Sequence, residues 1–297
     1  LTMPGANIPE QPENLFDMPT SAKSTLAYKL RNQIEKRGPL TFAQFMNAAL
    51  YDHELGYYCR GFATVGRDGD YLTSPEIHPI FGYAIGALAA SVWDSMGRPT
   101  RFTLCDIGGG TGTLMGSALR WIEIKRPDFT KVLFGMIVEP SAHDRKQQRR
   151  RLGPFSERVS WLQDIREASE VQGLMVANEL LDAQPVHRLK WDGEKWNEIY
   201  VGLSGNGEFS EHLGALSIKS LANSLIDVKA SKDQIVEVSP GAGNLARLIA
   251  TSLTKGLLIL FDYGYRREKL YAPWRRNGTL TTFYRHIAGE NPYTHIG

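Results

Sequence analysis

The sequence has few cysteines, no long apolar run and almost no excess of charge. Cys59 and Cys105 are too few for a disulfide framework, and neither has the paired spacing of a zinc site. No apolar stretch approaches the roughly 18 residues of a membrane-spanning helix. Lys and Arg total 34 against 32 Asp and Glu, so the global basic field of a non-specific nucleic-acid binder is excluded. We therefore expect a protein of a reducing compartment, without membrane insertion, metal or nucleic-acid partner.

The length of 297 residues allows one large elaborated domain or two small ones. Four prolines and little periodicity predict an extended arm over residues 1–20. Residues 21–100 are predicted to be a helical region around an irregular loop at 56–76, which is rich in glycine and aromatic residues. The predicted helices span 21–37, 41–50 and 77–96.

From Phe102 onwards, strands alternate with helices, which predicts a doubly wound α/β core over residues 101–297. The predicted strands span 102–106, 132–139, 159–163, 173–177 and 256–262, with a last candidate at 278–286, and the predicted helices span 113–125, 143–152 and 241–254. An insertion at about 187–235 interrupts the alternation. It begins with a hairpin around Asp192-Gly193, followed by a polar stretch and an amphipathic segment near 213–228.

The most informative motif is the glycine-rich turn at 106–112, in the pattern D-x-G-x-G-x-G, between a strand and a helix. Glycines allow positive φ and close approach of a ligand, and the helix start attracts an anion. A dinucleotide fingerprint would place its third small residue at Thr113, and the Lys of a phosphate loop is absent. The turn favours S-adenosylmethionine, whose α-amino group suits a carboxylate. The residues assigned to it are Asp106, Gly108, Gly110 and Gly112.

Two further acids follow the next strands. Glu139 is predicted to accept the ribose hydroxyls, and Asp164 is predicted to meet the adenine amino group. Taken singly, each acid is equally well a solvated helix cap, and the turn a structural one. Three acids in order at the carboxyl ends of three successive strands favour a cofactor crevice.

The segment 177–186 follows the fourth predicted strand, where an acceptor would meet the methyl donor. Glu179 and Asp182 would both face one cation if the segment is a helical turn, and a guanidinium matches two carboxylates best. They would localise its charge and accept a proton late in an in-line displacement. In the alternative interpretation Asn178 and Glu179 cap a helix. Asn178 is assigned to the cofactor.

Two other polar segments each allow two interpretations. In the segment 69–76, Thr73 and Pro75 are assigned to a cofactor lid and Glu76 to catalysis, although the segment is equally a Ser-Pro helix start. The basic run 145–151 is predicted to be the solvated face of a helix, or alternatively a contact for an acidic protein partner. His286 is predicted to be structural.

Several motifs in order resemble those of the MidA-like methyltransferases, whose mitochondrial members are protein arginine methyltransferases needed for assembly of respiratory complex I. The motifs lie at 56–58, 69–76, 81–82, 106–114, 138–141, 177–185, 237–240 and 262–265. The resemblance implies a class I, Rossmann-like methyltransferase fold with N-terminal helices and an inserted hairpin and helix module. It further implies S-adenosylmethionine as donor and symmetric dimethylation of an arginine on a complex I type subunit.

The chain departs from that family at several points. Asp106, Gly109 and Thr111 stand where the family usually has Glu, Pro and Arg, and Tyr83 stands where Glu is frequent. The sequence stops at Gly297, short of a further acidic and His-bearing strand motif, so the C-terminal strands are expected to be incomplete.

Three functions follow as hypotheses. The first is arginine methylation of a protein; the second is methylation of a small-molecule hydroxyl or amine; the third is a non-catalytic assembly factor that acts through its insertion. The expected location is the bacterial cytoplasm, or the mitochondrial matrix if the source is eukaryotic. The oligomeric state is left open.

Overall fold

A computed structural model describes residues 25–59 and 69–296, so the arm predicted over 1–20 lies outside the described residues. Helix α1 (Leu26–Arg37) begins after Thr25, whose hydroxyl accepts from the backbone N–H of Tyr28. A two-residue strand, β1 (Leu40–Thr41), leads into α2 (Phe42–Tyr51). Thr41 and Gln44 form a capping box at the start of α2. The helix predicted over 41–50 is therefore confirmed, and the one predicted over 21–37 is confirmed from Leu26; residues 21–24 lie outside the described residues.

The helix predicted over 77–96 is divided in two. A single turn, α3 (Ser74–Ile77), is followed by α4 (Ile80–Ser95). His78 is extended, because a residue before a proline is disfavoured in the helical region, and Pro79 then stands at the N-cap of α4. The division frees the first turn to approach the glycine-rich turn.

A five-stranded parallel sheet forms the core, in the order β10-β5-β2-β3-β4. Its strands are β2 (Phe102–Ile107), β3 (Leu133–Val138), β4 (Val159–Leu162), β5 (Val171–Asn178) and β10 (Leu253–Phe261). The connecting helices are α5 (Thr113–Lys125), α6 (Pro127–Thr130), α7 (Ala142–Leu152) and α9 (Pro240–Ser252). Helices α4 and α5 cover one face, and Ile249 of α9 packs on the other. The predicted doubly wound α/β fold is confirmed.

The insertion builds a second, antiparallel sheet in the order β1-β7-β6-β9, with β8 beside β7. Its strands from the insertion are β6 (His187–Trp191), β7 (Trp196–Leu203), β8 (Phe209–Gly214) and β9 (Ile235–Val238). The predicted hairpin is confirmed, but the polar stretch after it is strand β8. The amphipathic segment predicted at 213–228 contains only the turn α8 (Ser220–Asn223). Within the described residues, strand β8 pairs with β7 alone, and such an edge position admits polar side chains such as Glu211.

The last predicted strand, 278–286, is shorter than expected and lies outside the parallel sheet. After α10 (Arg267–Leu270), the chain forms a small hairpin of β11 (Thr282–Tyr284) and β12 (Ile287–Gly289). Arg285 and His286 turn the hairpin at positive φ, which ends the extended run. Among the described residues, no helix combines the length and apolarity needed to cross a membrane.

Candidate functional site

The glycine-rich turn follows β2 at the carboxyl edge of the parallel sheet. Gly108, Gly110 and Gly112 adopt φ of +74°, +49° and +82°, values that L side chains rarely adopt. Gly112 is the N-cap of α5 and carries no side chain to cap it, so the helix start is open to an anionic group. The turn packs tightly on β3, since a Cβ at Gly109 would lie only 2.6 Å from Cγ2 of Ile137.

Two carboxylates lie under this turn, those of the buried Asp106 and the half-buried Glu139. Asp106 is 2% exposed, and its Oδ2 has no hydrogen-bond partner among the described residues. Burial, and then the charge of Glu139, raise the pKa of Asp106 to about 7. Burial likewise raises the pKa of Glu139 to about 7, although Glu139 Oε1 accepts from the backbone N–H of Ser141 at 3.0 Å. A buried carboxylate oxygen without a donor calls for a ligand that brings one.

The third predicted acid, Asp164, is already engaged. Its carboxylate accepts from Nε of Arg166 at 2.8 Å and caps the short 3₁₀ turn at 165–167. The Arg166 side chain holds the pKa of Asp164 down to about 2. Asp164 follows β4 as expected, but its contact with adenine stays a prediction.

Glu76 lies against the glycine-rich turn. The Thr111 hydroxyl donates to its carboxylate, and Nη1 of Arg151 lies 3.6 Å from Glu76 Oε2. These contacts place the buried Pro75 beside the turn, whereas Thr73 makes no side-chain hydrogen bond to the helix that it precedes. The predicted lid segment therefore reaches the glycine-rich turn, and Glu76 lies at that turn.

The acceptor segment after β5 consists of bends and turns. The helical turn that was expected to bring Glu179 and Asp182 to one cation therefore does not form. Glu179 has φ +52°, and its backbone N–H donates to the Phe261 carbonyl at 2.8 Å. Its carboxylate accepts hydrogen bonds from the side-chain amide of Asn178, at 3.4 Å, and from the backbone N–H of Ser74. The lid segment and the acceptor segment are therefore joined directly.

A third carboxylate, Asp262, completes an acidic group with Glu179 and Asp182. Asp262 Oδ2 accepts from the backbone N–H of Leu181 at 2.7 Å. Partial desolvation, and then the charge of Asp262, raise the pKa of Asp182 to about 6, although Asp182 and Asp262 are both exposed residues. Burial and Asp182 raise the pKa of Glu179. Among the described residues, no Lys or Arg forms an ion pair with any of the three.

Three tyrosines line the same region. The Tyr51 hydroxyl donates to the Ala183 carbonyl at 3.0 Å, and the Tyr51 ring stacks on Tyr58. The hydroxyls of Tyr58 and Tyr71 lie 3.3 Å apart. Burial raises the pKa of Tyr58, and the charges of Asp182 and Glu179 raise it further, so this phenol stays neutral. Sequence reasoning missed these tyrosines and Asp262. Tyr58, Tyr71 and Asp262 lie in motifs that carry the resemblance, whereas Tyr51 precedes the first of them.

The basic run on α7 corrects a prediction. Lys146, Arg149 and Arg150 are exposed as expected, but Gln148 is completely buried and contacts the glycine-rich turn. Its spacing four residues before the buried Leu152 was the available signal. In the described part of the chain, no three potential ligands gather into a metal site.

Comparison with known proteins agrees with this geometry. Residues 84–297 match a family described as "Putative S-adenosyl-L-methionine-dependent methyltransferase". A crystal structure from Burkholderia thailandensis, of a COG1565 superfamily member bound to S-adenosyl-homocysteine, is 28% identical and superposes with a TM-score of 0.83. The match covers 92% of this chain and 70% of that one.

Curated relatives give the same result. The "Protein arginine methyltransferase NDUFAF7 homolog, mitochondrial" of Drosophila melanogaster is 28% identical over 88% of this chain and 64% of its own length. The human "Protein arginine methyltransferase NDUFAF7, mitochondrial" is 28% identical over 81% of this chain and 59% of its own. The chain thus spans about three fifths of the length of these relatives.

Proposed function

The chain belongs to this family of S-adenosyl-L-methionine-dependent methyltransferases, and from that premise we propose that it methylates an arginine side chain of a protein. The observation that carries the acceptor is the acidic group of Glu179, Asp182 and Asp262, which has no cationic partner among the described residues. A guanidinium supplies the missing charge and enough N–H donors for several carboxylates. Their position beside the glycine-rich turn would put that guanidinium next to the cofactor.

The residues at the glycine-rich turn fit the cofactor. Asp106 Oδ2 is a buried acceptor without a donor, and the cofactor's ammonium group or a bound water would supply one. Glu139 would accept the ribose hydroxyls, and the open start of α5 would receive the α-carboxylate. When bound, S-adenosylmethionine supplies an electrophilic methyl group on its sulfonium. Asn178, Thr73 and Pro75 would line the methionyl end, and Asp164 the adenine.

The acceptor residues would act by position and charge. The guanidinium pKa lies above about 12, so no side chain can deprotonate it before attack. The carboxylates of Glu179 and Asp182 would instead orient the attacking nitrogen and accept its proton as the new N–C bond forms. The neutral hydroxyls of Tyr58 and Tyr71 would close the pocket. Glu76 would hold the lid segment at the turn through Thr111, in place of the catalytic role predicted for it.

The finer assignment follows the resemblance. We propose symmetric dimethylation of an arginine on a subunit of a respiratory complex I type assembly. The mitochondrial arginine methyltransferases among the relatives support a protein substrate. The reaction would take place in the bacterial cytoplasm, or in the mitochondrial matrix of a eukaryotic source.

Methyl transfer to peptides tests this function. The chain is incubated with S-adenosylmethionine carrying a labelled methyl group and with matched peptides that bear either Arg or Lys. We expect label on the Arg peptide only, and its loss in Glu179→Gln. Glu123→Gln, at an exposed residue near the end of α5 opposite the glycine-rich turn, should keep the wild-type rate. Cofactor binding without any label on Arg peptides or on small-molecule acceptors would favour the assembly factor. Label on a small-molecule hydroxyl or amine instead would favour the second hypothesis.

A further inference from the structure

Gln148 makes a set of contacts that no catalytic role yet accounts for. Its side chain lies on α7, is completely buried, and reaches the glycine-rich turn. Its Nε2 donates to the Gly110 carbonyl at 2.9 Å and to Glu139 Oε2 at 3.4 Å. Its Oε1 accepts from Nε1 of Trp161 at 2.8 Å. One amide thus joins the turn, the predicted ribose acid and strand β4.

The orientation of this amide is determined by its neighbours. The indole nitrogen of Trp161 can only donate, so it must face the amide oxygen of Gln148. The two N–H groups then point at the Gly110 carbonyl and at Glu139, both of which accept. Both donors and the carbonyl of the amide are used, so a flipped amide would lose all three contacts.

The turn is also built around this side chain. A Cβ at Gly109 would lie 3.3 Å from Gln148 Nε2, and one at Gly112 would lie 3.3 Å from Gln148 Cγ. A shift of Gln148 would therefore move the turn and Glu139 together. Arg149, the next residue, stacks its guanidinium 4.2 Å from the centre of the Trp161 ring and so covers the outer side of the indole.

We propose that Gln148 is a positioning residue for the cofactor, which holds the Glu139 carboxylate in register with the glycine-rich turn, and that Trp161 sets its orientation. The proposal rests on the proposed function, because it assumes that Glu139 receives ribose hydroxyls. Neither residue touches the cofactor in this account. Both act on the ribose through Glu139. Their loss should therefore weaken a ligand with ribose hydroxyls more than one without, whereas general damage to the fold would weaken both equally.

The test compares two ligands in calorimetric titrations. S-adenosylhomocysteine carries both ribose hydroxyls, and its 2′,3′-dideoxyribose analogue carries neither. Gln148→Met keeps the volume and removes the hydrogen bonds. We expect it to weaken binding of S-adenosylhomocysteine about tenfold more than binding of the analogue, a difference of ~1.4 kcal/mol. Gln147→Met, on the exposed side of the same helix, serves as the matched control and binds both ligands as the wild type does.

The outcomes are distinct. Equal weakening of both ligands, or of neither, would overturn the proposal and leave Gln148 a packing residue. Failure of the wild type to bind S-adenosylhomocysteine would instead overturn the proposed function. If Gln148→Met fails to fold, Trp161→Phe provides the same comparison, because it removes the donor to Gln148 Oε1 and keeps an aromatic ring beneath Arg149. A smaller loss, again greater for the ligand with hydroxyls than for the analogue, is then expected.

Discussion

Replacement of Asp106 by asparagine separates what this carboxylate costs the fold from what it contributes to cofactor binding. Burial and the nearby Glu139 raise the pKa of Asp106 from 3.8 to about 7. Since one pKa unit is about 1.4 kcal/mol, ionised Asp106 destabilises the cofactor-free fold by about 4 kcal/mol. Below pH 4 the carboxyl is protonated in both folded and unfolded chains, so the cost is absent. It grows from pH 4 to 7 and is complete above pH 7.

Asparagine keeps the shape of the side chain and removes its charge. We expect the free energy of unfolding of Asp106→Asn to exceed that of the wild type by up to about 4 kcal/mol at pH 8 and to equal it near pH 4. Urea denaturation followed by circular dichroism measures the difference. The same variant should bind S-adenosylmethionine more weakly at pH 8. Stability and binding therefore change in opposite directions.

Asp128→Asn is the control, because its exposed carboxylate pairs with Arg126 and has its pKa lowered by that contact. Its loss should reduce stability slightly at pH 8, opposite in sign to Asp106→Asn. The reasoning is refuted if Asp106→Asn is the less stable protein at pH 8. Unchanged cofactor affinity in that variant would refute the role of Asp106 in binding.

Three further predictions concern the acceptor site and the turn. Partial desolvation raises the pKa of Asp182 to about 6, so kcat/KM for an Arg peptide, measured at saturating S-adenosylmethionine from pH 5 to 8, should fall about tenfold per pH unit below that value. Asp182→Asn should make the fall less steep and leave the part contributed by Glu179, whose pKa is also raised. Gly109→Ala should lower the free energy of unfolding by about 1–3 kcal/mol, because its Cβ would clash with Ile137. Gly110→Ala meets no described atom within 4 Å of its Cβ, so it should cost only the ~1 kcal/mol of a left-handed backbone at a residue with a side chain. Thermal denaturation compares the two variants. Tyr71→Phe should raise KM for the peptide without changing cofactor affinity. Steady-state kinetics measures the KM and calorimetry the affinity, and weakened cofactor binding would contradict the prediction.

The parallel core was predictable because its signals are local. Strands such as Phe102–Ile107 are mostly apolar and buried on both faces, and the glycine-rich turn marks the end of this strand next to Asp106. Glu139 was predicted by the same logic, since it directly follows the next strand. Ligand crevices form at the carboxyl ends of parallel strands, so the sequence alone predicted that these residues lie close together.

The remainder depended on contacts between residues distant in sequence. Strand β1 pairs with β7 about 160 residues later, and no local pattern in two residues reveals this. Asp262 joins Glu179 only because β10 lies beside β5. Gln148 stands in a strongly basic run, so its burial is decided by the turn that packs on it. The predicted helical turn at Glu179 fails because its backbone adopts positive φ.

Calorimetric titration of S-adenosylmethionine at pH 7, repeated in two buffers with different ionisation enthalpies, tests the central claim most directly. The ligand brings positive charge and hydrogen-bond donors to Asp106 and Glu139, whose pKa values are both about 7. We therefore predict saturable binding accompanied by net release of protons to the buffer, because the ligand favours the ionised carboxylates. Absence of binding by the folded protein, or binding with no proton release at pH 7, would contradict the assignment of these two carboxylates to the cofactor.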